Sequence, residues 1–184
     1  METMKIKNGI FRALAAVSLT VISGCAVLVG QVEPPDEKAT TYQYLDLSQE
    51  NDWEKLDPPS SNGPEDKPRS DVVFQSKSTG AIISLNSVCR AFEETRSLQE
   101  LSNLLVMSVS EPKNRMDEPT TFKGESALLT LLDGKLETQG VRIKTLVTKN
   151  KRCIFDFMYI ASQRAFPKNE KTFESFLAAF KFEQ

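Results

Sequence analysis

Apolar residues recur in short runs along the last two thirds of the chain, and most of these runs are typical of β-strands. Residues 72–75 and 81–88 are rich in β-branched and aromatic side chains, and the turn signal Ser78-Thr79-Gly80 separates them, which predicts a hairpin. Further strands are predicted at residues 52–56, 121–124, 127–132, 137–148 and 152–162.

The segments between the later strands contain turn residues. Asp133-Gly134 and residues 148–151 are hairpin turn signals, and a polar loop that contains Pro112 and Pro119 precedes them. Because consecutive strands joined by short turns run in opposite directions, we expect a mainly antiparallel sheet.

Two amphipathic helices are predicted. The first follows Ser97, which forms a capping box with Glu100, and its apolar stripe consists of Leu98, Leu101, Leu105 and residues 107–109. The second begins near Asn169, after Pro167, and its apolar residues fall at i, i+3, i+4 and i+7: Phe173, Phe176, Leu177 and Phe180.

The strand at residues 153–160 is apolar on both faces, which indicates a central strand with cover on both sides. The two helices would supply that cover. The predicted fold class is therefore α+β, a mainly antiparallel sheet covered by two helices. Asp156 is an acid inside this apolar strand, and we expect it to pair with Arg142 or Lys144 on the neighbouring strand rather than to act in catalysis.

The order of elements resembles a known fold. Paired strands, a helix, a strand meander and a C-terminal helix, with Asp71-Val72-Val73-Phe74 leading into residues 80–86, are similar to the PsbP-like α/β sandwich over residues 52–184. That fold is also found in small bacterial envelope lipoproteins. The resemblance implies a binding or assembly factor rather than an enzyme, and it assigns no functional residue to this chain.

Residues 1–24 have the layout of an export signal, with basic residues before the apolar stretch 13–22. The motif Ile22-Ser23-Gly24-Cys25 resembles the lipobox of bacterial lipoproteins, which implies a diacylglyceryl thioether and an N-acyl chain on Cys25. The alternative is a membrane-spanning signal anchor, because residues 26–29 prolong the apolar stretch. Ala26, in place of the Asp that retains enterobacterial lipoproteins in the inner membrane, favours the outer membrane.

Residues 25–51 are predicted to form a tether, and residues 52–184 a single domain. Between residues 31 and 70 lie six of the nine prolines and ten acidic against four basic residues, which is typical of an extended linker. Tyr42 and Tyr44 are unusual in such a linker. They either dock a partner or pack beside the first strand of the domain.

Cys89 and Cys153 lie at the end of one predicted strand and at the start of another. In an oxidising compartment, a disulfide between them is the favoured interpretation. The alternatives are two separately buried thiols or a catalytic thiol, and the sequence offers no histidine to activate the latter.

The amino-acid composition excludes several kinds of catalytic and metal-binding site. The 184 residues contain no histidine, which excludes Ser-His-Asp and Cys-His catalysis and imidazole metal sites. The net charge of −2 argues against nucleic acid as a partner. Lys149, Lys151 and Arg152 form a basic hairpin tip that either contacts anionic lipid or an acidic partner, or is a solvated turn. No catalytic, cofactor-binding or metal-ligating residue is predicted.

Three functions from different classes fit these observations. The favoured one is a membrane-anchored, non-catalytic binding or assembly module of the bacterial envelope, whose partners are the membrane, through its lipid, and another envelope protein. The alternative is a carrier or sensor of a small apolar ligand held among the phenylalanines. An enzyme that uses Ser with Lys, or carboxylates alone, is disfavoured because no spacing in the sequence indicates one.

Overall fold

The computed structural model describes residues 42–57, 71–89 and 94–183. The predicted export signal, Cys25 and most of the predicted tether lie outside these residues. The described chain forms nine strands and two α-helices, with one short 3₁₀ turn at Leu47–Gln49. In chain order the elements are β1 Tyr42–Gln43, β2 Trp53–Leu56, β3 Val72–Ser76, β4 Ile82–Cys89, α1 Leu98–Leu105, β5 Ser110–Phe122, β6 Glu125–Leu136, β7 Gln139–Asn150, β8 Cys153–Ser162, α2 Phe166–Ala179 and β9 Lys181–Phe182.

Seven of the described strands form one sheet, in the order β2-β3-β4-β8-β7-β6-β5, and every neighbouring pair is antiparallel. Strand β8 lies at its centre, which confirms the prediction from its two apolar faces. Strands β1 and β9 form a separate two-stranded sheet. The predicted α+β class, with a mainly antiparallel sheet and two helices, is also confirmed.

The larger core lies between α2 and the sheet. Alternate residues of β8, Phe155, Phe157 and Tyr159, are fully buried on this face, because side chains in a strand point alternately to opposite sides. Phe173, Phe176 and Phe180 meet them from α2 and its C-terminal end. The ring centroids of Phe157 and Phe180 are 4.9 Å apart and nearly perpendicular, a favourable edge-to-face arrangement.

A smaller core lies on the opposite face, under α1. Leu101 packs there against Val147 and Ile154, with Leu98 and Leu105 at its margin. The helix begins as predicted, because Ser97 and Glu100 form both hydrogen bonds of a capping box. The β8 residues that face α1 include Asp156, so one polar side chain stands among these apolar contacts.

The prediction of a polar loop around Pro112 and Pro119 is wrong. Both prolines belong to β5, the outermost strand on that side of the described sheet. An edge strand tolerates proline because one of its sides makes no ladder hydrogen bonds. Nearly all residues of β5 are exposed, so the strand has no apolar alternation, and register shifts interrupt its first half.

The predicted turn at Asp133-Gly134 is also wrong. Gly134 lies inside β6 opposite Val141, and the chain turns after Leu136, which pairs with Gln139. A Cβ on Gly134 would stand 2.3 Å from Cγ1 of Val109. This glycine therefore permits the segment before β5 to approach β6 closely. In the sequence, a glycine with this role cannot be distinguished from a glycine in a turn.

The last helix begins three residues before the predicted start near Asn169. Its first residue is Phe166, and Pro167 lies within its first turn. Proline fits there because its missing N–H would have no partner in the first turn of a helix. The tyrosine hydroxyl of Tyr159 donates to the carbonyl oxygen of Phe166 at 2.6 Å and fixes this end of the helix on the sheet.

Tyr42 and Tyr44 pack on the domain, as the second interpretation predicted, but only Tyr44 lies beside the first predicted strand, where Lys55 donates to its hydroxyl at 3.3 Å. Tyr42 lies opposite Phe182 in the β1–β9 pair, and its ring is 5.6 Å from that of Phe155. Its hydroxyl donates to Asp71 at 2.5 Å. The described chain thus joins the core at Tyr42, beside β9.

Candidate functional site

The candidate residues of the domain converge at one end of the central strands. Lys149 is near the end of β7, Lys151 and Arg152 form the turn that follows, and Cys153 opens β8. Lys151 has a φ of 55°, a left-handed conformation that suits a tight turn. The prediction of a turn in this region is therefore correct, but it is centred on residues 151–152.

Cys89 and Cys153 stand directly opposite each other in neighbouring strands β4 and β8. Their Sγ atoms are 2.06 Å apart, at disulfide distance. The two thiols are thus neither separately buried nor placed for nucleophilic attack. The pair links the end of β4 to the start of β8, beside the β7–β8 turn.

Lys149 does not belong to an exposed basic tip. Its ammonium donates to the backbone carbonyl oxygen of Glu94 at 3.1 Å and to that of Arg96. These bonds hold the segment before α1 against β7. Lys151 and Arg152 are exposed, so only these two of the three predicted contact residues present their full side chains to the surface.

Lys151 lines an open depression of about 560 Å³ at this end of the sheet. We call it the lysine depression, and it is lined by Lys123, Glu125, Asn150, Lys151, Lys181, Phe182 and Glu183. The three lysines come from the β5–β6 turn, the β7–β8 turn and β9. The sequence indicated only Lys151, because nothing local shows that these segments meet.

Hydrogen bonds arrange the polar groups of the lysine depression. The Asn150 amide donates to Glu125 at 2.7 Å, and the Gln43 amide donates to Glu183 at 3.1 Å. The Lys123 ammonium donates to the carbonyl oxygen of Ala178 near the end of α2 at 2.6 Å. Both carboxylates therefore bind neutral amides within the described chain, and the lysine charges are not neutralised by direct ion pairs with them.

Asp156 occupies a second polar site, on the α1 face of the sheet. Its Oδ2 accepts a long hydrogen bond of 3.4 Å from the Asn86 amide on β4. Among the described residues, the buried Oδ1 atoms of Asp156 and Asn86 and the buried Oγ1 of Thr145 have no hydrogen-bond partner. Burial raises the pKa of Asp156 to about 6, against the smaller opposing effects of Asn86 and the charge of Arg96.

The predicted partners of Asp156 are wrong. Asp156 lies opposite Val147, and residues an odd number of positions from Val147 on β7 point to the other face. Arg142 accordingly binds Asp133 at 2.7 Å, and Lys144 binds Glu170 of α2 at 2.8 Å. Only the strand register reveals that Asn86 is the neighbour, and no local sequence pattern indicates it.

A third feature is a groove of about 390 Å³ between the C-terminal end of α1 and the start of β5. This α1–β5 groove has an apolar lining from Val106, Val109, Pro112 and Leu132 and basic residues Lys113 and Arg115. Leu104 and Met107, which follow the lining residues Asn103 and Val106 in sequence, are 47% and 77% exposed. The exposed apolar side chains and the partly apolar concave surface make this end of α1 a candidate binding surface.

The α1–β5 groove and the lysine depression lie at opposite ends of the β5–β6 pair. Phe122, which precedes the other end, is nine positions beyond Lys113, at the groove, in β5. At the usual rise of a strand this is about 30 Å. The described part of the chain contains no group of Asp, Glu or Cys that could hold a metal ion, and neither of its helices is long and apolar enough to cross a bilayer.

Comparison of the sequence with protein-family models and with curated proteins finds no match. Solved structures that are similar in fold include the following two. Cyanobacterial PsbP (CyanoP) from Synechocystis sp. PCC 6803 has a TM-score of 0.54 at 12% identity, over 78% of this chain and 94% of that chain. LpqN, involved in cell envelope biogenesis of Mycobacterium tuberculosis, has a TM-score of 0.52 at 12% identity, over 79% and 86%. The chain thus has a PsbP-like α+β fold, as its order of elements predicted.

Proposed function

We propose that this chain is a non-catalytic binding or assembly module that a lipid on Cys25 holds at the bacterial envelope, with the outer membrane favoured over the inner membrane. The lipobox-like motif supports the anchor, and the fold that the chain shares with LpqN, a protein of envelope biogenesis, is consistent with that location. The observation that carries the binding role is the α1–β5 groove with its exposed Leu104 and Met107.

The chemistry of the α1–β5 groove suits a protein partner. Methionine is unbranched and polarisable, so Met107 can adapt to an apolar side chain that enters the groove. Lys113 supplies positive charge at the groove, whereas the charge of Arg115 is paired with Asp117 at 2.9 Å. An apolar centre with a charged margin is the usual composition of a protein interface. We therefore expect another envelope protein with an apolar side chain flanked by carboxylates.

A carrier of a small apolar ligand is the alternative function. Its ligand would lie between α2 and the sheet, where the phenylalanines are. Phe155, Phe157 and Phe180 pack against one another there, with ring centroids 4.9–5.6 Å apart. The contacts among these rings are sufficient to explain why the rings are buried. The α1–β5 groove is therefore the stronger basis for a function.

Site-specific photo-crosslinking in intact cells tests the binding role. A photoreactive residue at Met107 should give a discrete cross-linked species, whereas one at Lys171, exposed on α2, should not. Met107→Glu would place a charge at the apolar margin, and a reporter at Leu104 should then lose its cross-link. Identical patterns from residues 107 and 171 would contradict a partner at the groove.

Cell fractionation tests the anchor separately. The Cys25→Ala variant should leave the membrane fraction, and intact mass measurement of the unaltered protein should show the added acyl groups. A variant that remains in the membrane unchanged would contradict lipid anchoring and would favour a spanning signal anchor.

A further inference from the structure

The lysine depression lies where the tether meets the domain. Strand β1 begins at Tyr42 and pairs with β9, so that Gln43 stands opposite Lys181. We propose that this end of the domain faces the membrane and that Lys123, Lys151 and Lys181 contact anionic phospholipid headgroups and thereby orient the domain. The inference rests on the lipid anchor of the proposed function.

The length of the tether keeps this end near the bilayer. Tyr42 is seventeen positions after Cys25 in the sequence. A flexible chain of that length has a typical span of roughly 20–25 Å. The distance is shorter than the roughly 30 Å along β5 that separates the lysine depression from the α1–β5 groove. The end that carries the lysines is therefore the first to meet headgroups, and the groove is directed away from them.

The lysines are available for such a contact. Lys151 and Lys181 are exposed, and within the described ranges neither ammonium has a hydrogen-bond or ion-pair partner. Lys123 uses one N–H for the Ala178 carbonyl and keeps two others. Glu125 and Glu183 lower the net charge of the depression, so its attraction to the membrane is weak. A weak contact suffices to orient a domain that the lipid already anchors.

The sequence before Tyr42 supplies a second class of anion as an alternative to phospholipid. The predicted tether carries Glu33, Asp36 and Glu37 shortly before Tyr42. These carboxylates could bind the same lysines in every environment. Phospholipid binding differs from this alternative because it depends on the charge of the membrane and is screened by salt.

Lysine acetylation of the full lipidated protein in vesicles distinguishes these cases. Vesicles of phosphatidylethanolamine with phosphatidylglycerol are compared with vesicles of phosphatidylcholine, and mass spectrometry follows each lysine. Lys123, Lys151 and Lys181 should react about fivefold more slowly in the anionic vesicles, the factor equivalent to the roughly 1 kcal/mol that a lysine gains at an anionic surface. High salt should remove the difference, and the exposed lysines of α2, Lys168 and Lys171, serve as internal controls.

A pair of double variants tests whether the lysines act together. Lys151→Gln with Lys181→Gln should abolish the protection of Lys123 in anionic vesicles. The matched variant, Lys168→Gln with Lys171→Gln, should leave that protection intact. All four positions are exposed, so folding is expected to be unaffected.

Every other outcome overturns the inference. Equal protection in both kinds of vesicle would assign the lysines to the tether carboxylates. Protein that floats with the vesicles without protection at the three lysines would refute the headgroup contact and leave the anchor intact. If the protein carries no acyl group and does not float with the vesicles, lipid anchoring is refuted. The inference, which rests on that anchor, is then refuted as well.

Discussion

Replacement of Asp156 by asparagine is expected to stabilise the protein at neutral pH. The carboxylate lies on the central strand with one oxygen buried and unpartnered and the other at 3.4 Å from the Asn86 amide. An asparagine has nearly the same shape and carries no charge. Its amide group can also donate to the unpartnered Oδ1 of Asn86, so the substitution removes one unfavourable charge and satisfies one acceptor.

The magnitude follows from the pKa of this group. Burial raises the pKa of Asp156 from 3.8 to about 6, so the folded protein binds the proton more tightly than the unfolded chain. The cost of ionisation is absent below about pH 4, grows as the pH rises, and is complete above about pH 6. At about 1.4 kcal/mol for each pH unit, the full cost is about 3 kcal/mol.

Chemical denaturation at several pH values provides the assay. Asp156→Asn should exceed the unaltered protein in free energy of unfolding by about 3 kcal/mol at pH 7.5 and match it at pH 4. Asp133→Asn is the matched control on the same sheet. The Arg142 guanidinium holds the pKa of Asp133 below its usual value, so its carboxylate stabilises the fold above that value and loses this effect as the pH falls.

The control substitution should therefore have the opposite sign, a loss of about 2 kcal/mol at pH 7.5. If Asp156→Asn destabilised the protein at pH 7.5, or changed its stability equally at pH 4 and pH 7.5, the assignment of Asp156 as an uncompensated buried charge would be refuted.

Three further substitutions test other contacts. Joint replacement of Cys89 and Cys153 by serine should lower the free energy of unfolding by about 4 kcal/mol, the loop-entropy value for a separation of 64 residues, and alkylation of the non-reduced protein should label neither cysteine. Gly134→Ala should cost about 1–3 kcal/mol in thermal unfolding, because the new methyl group meets the residue before β5, whereas Gly140→Ala, with nothing within 4 Å, should be nearly neutral. Lys149→Met should speed hydrogen exchange in residues 94–97, because it removes the ammonium that binds two carbonyl groups there, and unchanged exchange would contradict that role.

Most of the fold could be predicted because its buried strands carry strong local patterns. Strand β8 is apolar on both faces, and Ser97 with Glu100 marks the start of α1 by a local hydrogen-bond pattern. Strand β5 was predicted only at its end, within residues 121–124, because an exposed edge strand needs no apolar side chains. Gly134 was misassigned because a glycine that permits close approach looks the same in sequence as a glycine in a turn.

The candidate sites were less predictable because they depend on distant residues. The partner of Asp156 is set by the register of three strands, and the lysine depression joins two turns with the last strand. The cysteine pair was easier to predict, since only two cysteines lie in the domain and both are at strand ends. The lipobox prediction lies outside the described residues and is tested only by the Cys25 experiments.

The irregular outer strand β5 also limits strand pairing between copies of this protein. Lipid anchoring would confine many copies to two dimensions, where regular edge strands readily join into a continuous intermolecular sheet. In β5, the register shifts end at Met116 and Pro119 follows three residues later. A neighbouring chain thus finds two uninterrupted stretches, Met116–Glu118 and Thr120–Phe122, each shorter than the usual strand of about five to six residues. If a lipid on Cys25 anchors the protein, many copies would therefore lie close together without joining their sheets through β5.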